Sequence, residues 1–146
     1  MAVTRWTALV TMLMVVLGCA APRGGGPPAG AGGGVVGAPV PIDDVSRVAG
    51  RWTGLMDLPG GSRESEQYVE LDLRPDGTYH ATSARTIGLM DARGKVEVND
   101  GRLLVQGERG ARGRGTLFSR DGRPTLVIDM TLPNGGQVTA RLHPQR

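Results

Sequence analysis

The chain has 146 residues, a formal net charge of +3 and a single cysteine. One thiol excludes an intramolecular disulfide. The excess charge is small and carried by arginine, with Lys95 as the only lysine, so the basic balance reflects arginine content more than a large positive field and no nucleic-acid partner is expected. Twenty-four glycines and ten prolines leave material for one compact domain of about a hundred residues.

Met1–Arg5 carries one fixed positive charge and no acid. Trp6 to Leu17 is mostly apolar, about a dozen residues, the length of a signal-peptide core. It is shorter than the ~20 residues a spanning helix needs, and the Gly/Pro-rich stretch behind it prevents extension. Gly18 and Ala20 are small and flank Cys19. Val16-Leu17-Gly18-Cys19 resembles the lipobox of bacterial lipoproteins. The resemblance implies a thiol carrying diacylglycerol, cleavage before Cys19 so that residues 1–18 leave as a signal peptide, and acylation of the new amine. Stable anchoring takes more than one acyl chain, which such a Cys19 would supply. Ala20 in place of aspartate implies, by resemblance to Gram-negative sorting, an outer-membrane address facing the periplasm in a host with two membranes. The competing readings are a plain signal peptide with an incidental cysteine, and an uncleaved anchor.

Residues 19–41 are dominated by Gly and Pro, with Arg23 as the only charge. They hold too little apolar surface to offset the entropy of ordering them and are expected to form a disordered tether of roughly 25–30 Å mean span. A partner-binding proline segment is disfavoured because no PxxP spacing occurs.

Residues 42–146 form the expected domain. Ile42, Val45 and Val48/Ala49 recur at helical spacing, with Asp43 or Asp44 as a cap and Gly50 as the end, so one helical or 3₁₀ turn is expected. The period then becomes two. Asp76-Gly77, Asp100-Gly101, Asp121-Gly122 and Asn134-Gly135 are hairpin-turn dipeptides. Between them, Val69, Leu71 and Leu73 share one face of a run, as do Val96 and Val98, Leu126 to Leu132 at alternate positions, and Val138, Ala140 and Leu142. Adding Arg51–Asp57, Thr78–Arg85, Leu103–Gln106 and Gly115–Arg120 gives about eight antiparallel strands, an all-β up-and-down meander that closes into a small barrel. The links Leu58–Glu66, Thr86–Arg93 and Gly107–Arg114 read as long loops ringing one end, opposite the tight Asp-Gly turns. That asymmetry fits a one-mouthed binding barrel, or loop lengths that vary without purpose.

A helical turn followed by Gly50-Arg51-Trp52 at the opening of the first barrel strand resembles the lipocalin-like superfamily. The resemblance implies that Trp52 plugs the closed end against an arginine late in the last strand, here Arg141. The plainer reading of Trp52, and the one preferred for the residue itself, is a core aromatic without functional message.

No catalytic arrangement emerges. His80 and His143 stand far apart in sequence without a cysteine or carboxylate at ligand spacing, and there is no G-x-S-x-G and no P-loop. No metal, cofactor or enzymatic role is expected. Arg109, Arg112 and Arg114 lie on a glycine-rich stretch and form a candidate anion-contact loop, against the plainer reading of a solvated loop. The expected function is a non-catalytic barrel that binds a small apolar or amphipathic ligand, with Gly54, Ala81 and Ala140 leaving room inside. The alternative is an envelope interaction module of assembly, structural or inhibitory type.

Overall fold

The computed structural model describes residues 37–58, 66–85 and 88–145. Cys19, the signal peptide and residues 19–36 of the tether lie outside the described residues. The strands are β1 (Ala38–Val40), β2 (Gly50–Asp57), β3 (Glu66–Leu73), β4 (Thr78–Arg85), β5 (Gly88–Asn99), β6 (Arg102–Gly107), β7 (Arg112–Arg120), β8 (Arg123–Thr131) and β9 (Gln137–Pro144), with a 3₁₀ turn at Val45–Arg47. Strands β2 to β9 pair antiparallel in chain order and β9 returns to β2, so eight strands close a barrel with β1 outside it.

Alternation explains the closure. Val69, Leu71 and Leu73 of β3, Leu126 and Ile128 of β8, and Val138, Ala140 and Leu142 of β9 are buried, while their neighbours in sequence face outward. The core is therefore the inside of one closed sheet, and no barrel strand keeps a free edge. One end, the base, carries the β3–β4, β5–β6 and β7–β8 hairpins. Asp100 and Gly101 both have positive φ, +48° and +72°, as do Asp121 and Gly122, +52° and +74°. These are two-residue turns of the type whose twist matches a hairpin. The 3₁₀ turn lies across the base. Asp44 caps it by accepting from Ser46 N at 2.7 Å, and hydrogen bonds from Ser46 hold the Asp44 carboxyl below its usual range. Ile42, Val48, Leu73, Leu103, Leu126 and Leu142 are the most deeply buried large side chains, and they pack the base solid.

Three expectations need correction. Ala38–Val40, placed in the tether from its composition, pairs with Leu117–Ser119 of β7. Strand β6 pairs with Arg112–Gly115 of the same β7 edge, so β1 continues the rung that β6 leaves off, and the ordered domain starts ahead of residue 42. The expected long link Thr86–Arg93 shrinks to residues 86–87, because Gly88–Arg93 continue β5 against β4. The expected loop Gly107–Arg114 is a hairpin. Gly107 N bonds Ala111 O at 2.8 Å and Gly110 N bonds Gly107 O at 2.9 Å, with Gly110 at φ +85°. The same pattern closes Arg74–Thr78 and Leu132–Gly136. The third expected loop, Leu58–Glu66, falls largely on residues 59–65, which lie outside the described residues.

Candidate functional site

The solid base gives way to a cavity of about 180 Å³ toward the other end, the mouth. Its floor is Leu73, Leu103 and Leu142, and its wall includes Val69, Val105 and Ile128. Met56, Met130 and Leu132 line its upper part. The space exists because many inward positions carry little side chain: Ala81, Ser83, Gly107, Ala111 and Ala140 all line it. Gly54 contributes differently from expectation. A Cβ there would collide with the Arg141 carbonyl, so this glycine permits close approach of two strands.

Polar groups inside are few. Ser83 is buried, and its hydroxyl donates to Gln67 Oε1 at 3.0 Å. Tyr79 is different. It pairs with Gly94, which pairs with Gly107, so its ring lies along a trough with no side chains. A Cβ on Gly94 would stand 2.7 Å from Tyr79 Cε1, and one on Gly107 would stand 3.3 Å from Tyr79 Oη. The strand tilt of a closed barrel carries this row from the base side of β4 to the β6–β7 turn at the mouth. Tyr79 is 7% exposed and lines the cavity. Its hydroxyl is buried and meets no hydrogen-bond partner among the described residues. Burial, and secondarily the charge of Glu108, push its pKa above the ordinary 10.0.

That shift sets a pH dependence. The folded state holds the proton more tightly than the unfolded chain, so the stabilising contribution is complete below the unfolded pKa and is lost as pH rises through the folded one. Wild type is expected to lose stability relative to Tyr79→Phe above about pH 10 and to track it below, as read by urea denaturation across that range.

The residues singled out in the sequence fall in several places. Trp52 is 5% exposed at the base, and its indole N–H donates to the Val48 carbonyl at 2.8 Å, tying the ring to the 3₁₀ turn. The strand register sets Arg141 apart from Trp52. Trp52 lies opposite Pro144, and Arg141 lies opposite Leu55. The neighbours Ala140 and Leu142 face inward, so the pleat turns Arg141 outward, where its Nη1 donates to Asp57 at 2.8 Å. Both side chains are partly exposed, and such pairs are worth about 0.2–1 kcal/mol. Asp57→Ala is expected to lower stability by no more than ~1 kcal/mol, with the loss shrinking in high salt.

The arginine loop is not brought together as one site. Arg109 sits in the β6–β7 turn and reaches the cavity, whereas Arg112 and Arg114 are strand residues of β7 on the outer wall. Gly113 and Gly115 take the inward positions between them, which is why an Arg-Gly alternation imitates a loop. His80 is on the outer wall, in contact with Asp91 at 2.9 Å, a bond that holds the Asp91 carboxyl below its usual range. His143 contacts Thr125. Among the described residues no three metal-ligating side chains converge.

Compared with known proteins, the chain matches no family model, no curated protein sequence and no solved structure.

Proposed function

We propose that this protein is a membrane-anchored lipoprotein whose lipocalin-like barrel binds one small apolar or amphipathic ligand without transforming it. The observation that carries the reading is the 180 Å³ apolar cavity above a solid base. A dry apolar cavity of ~150 Å³ takes benzene, while drug-sized pockets run to ~300–1,000 Å³. The occupant is accordingly a small ring or the end of a chain, with anything larger left at the mouth. Anchoring rests on Cys19 in its lipobox-like setting, and with it a cell-envelope location, at the outer membrane in a two-membrane host.

The test is to purify the protein from native membranes, extract it in denaturing solvent and identify small molecules by mass spectrometry. A stoichiometric apolar compound is expected. A barrel that stays empty after incubation with envelope lipids overturns the reading. The anchor is tested separately: Cys19→Ser should lose the acyl mass and leave the membrane fraction.

A second reading, an envelope interaction module, is favoured by one observation. Leu55 and Tyr68 are 50% and 48% exposed and lie opposite each other across β2 and β3 on the outer wall. In-cell crosslinking at Tyr68 that captures one defined envelope protein, together with an empty cavity, would select it.

A further inference from the structure

We propose that the Tyr79 hydroxyl is the polar anchor of the ligand, and that the occupant is an apolar molecule bearing one neutral hydrogen-bond acceptor, such as a carbonyl, which meets Tyr79 Oη beside the β6–β7 turn. The inference rests on the reading of the barrel as a ligand carrier and adds the chemistry of what it carries.

A buried hydroxyl without a partner is costly, and buried polar groups are hydrogen-bonded with few exceptions. Phenylalanine would fill the same trough over Gly94 and Gly107 without that cost. The hydroxyl stands at the wall of the apolar cavity, and Ser83, the other buried hydroxyl lining it, already donates to Gln67. Binding sites of this kind are apolar with a few placed polar groups that orient the ligand.

Charge at the site selects a neutral acceptor. Glu108 acts on Tyr79 through its charge, and the same charge repels a carboxylate or phosphate placed on the hydroxyl. Arg93 and Arg109 also line the cavity, but the charge that acts on the Tyr79 hydroxyl itself is that of Glu108, so an anion is disfavoured at that point. The phenol keeps its proton through the neutral range, since its pKa lies above 10.0. It therefore offers a donor.

The experiment uses the full chain in lipid nanodiscs and three probes of one size class: acetophenone, ethylbenzene and benzoate. Affinities come from amide chemical-shift titrations of wild type and Tyr79→Phe. Comparing the two proteins cancels each probe's partition into lipid. Wild type should prefer acetophenone over ethylbenzene by about tenfold more than Tyr79→Phe does, the size of one buried hydrogen bond. The variant should keep its ethylbenzene affinity within about twofold, because the ring is unchanged. If neither neutral probe binds, the carrier reading itself fails and this inference with it. If both bind and the ketone preference is absent or survives in Tyr79→Phe, the carrier reading stands and the anchor is refuted, the hydroxyl being met by water instead. Benzoate binding more tightly than acetophenone would also overturn the assignment, in favour of an anionic ligand.

Discussion

Trp52→Ala is expected to lower the unfolding free energy by about 3–5 kcal/mol, a large part of the ~5–15 kcal/mol that holds a domain of this size. The indole is 5% exposed and packs in the core at the base. Its removal leaves a void beside Ile42, Val48 and Leu73, and it strips the Val48 carbonyl of its donor. Both losses act on the 3₁₀ turn, so the variant should also expose Val48 and loosen the Ile42–Gly50 segment in hydrogen exchange. Trp52→Phe keeps most of the volume and should cost less. Since Arg141 lies on the outer side of the wall, a double-mutant cycle between Trp52→Ala and Arg141→Ala is expected to close within ~0.5 kcal/mol. Urea denaturation of the four proteins checks both statements. A coupling of 2 kcal/mol would restore the plug-and-arginine pair that the strand register argues against.

Ala81→Leu tests whether the cavity is a working space. Ala81 is half-buried and lines it. A leucine there adds about three carbons to apolar space already present, worth up to ~0.8 kcal/mol per buried methylene. The ligand-free variant is expected to gain about 1–2 kcal/mol and to lose affinity for a neutral aromatic probe by at least ~10-fold. A loss of stability above ~1 kcal/mol would mean that the interior is already filled, since overpacking costs about 1–3 kcal/mol.

The parts of the fold legible in the sequence are those where inward positions carry large apolar side chains. Strands β3, β8 and β9 show their buried face directly, through Leu71, Ile128 and Leu142. The hairpin dipeptides at 100–101 and 121–122 locate their turns because positive φ at both positions demands Asp or Asn and Gly. Legibility fails where the inward residues are small. Ala92 in β5 and Gly113 in β7 present no apolar alternation, and the segments that hold them, Thr86–Arg93 and Gly107–Arg114, read as loops. Strand β1 has no pattern of its own, and only β7 gives it a place. The outward facing of Arg141 was legible in the sequence, because Val138, Ala140 and Leu142 already claim the inward parity of β9. The cavity was partly legible in Ala81 and Ala140. Its polar anchor was not, since the isolation of Tyr79 Oη depends on Gly94 and Gly107, which are 15 and 28 positions away in sequence and become neighbours only through strand pairing.

The three-residue strand β1 also determines how the domain bears mechanical load. A pull on the chain ahead of Gly37 reaches β1 first and works against its three residue pairs with β7. Next in line is the bond from Ile42 N to Gly101 O, at 3.0 Å. These contacts give way one at a time, like a zipper, because the force is applied at the end of a short antiparallel strand. Peeling them leaves β7 held by β6 and β8, so the wall stays shut. A barrel loaded through the chain ahead of Gly37 would yield several residues of slack while its eight-stranded wall stays closed.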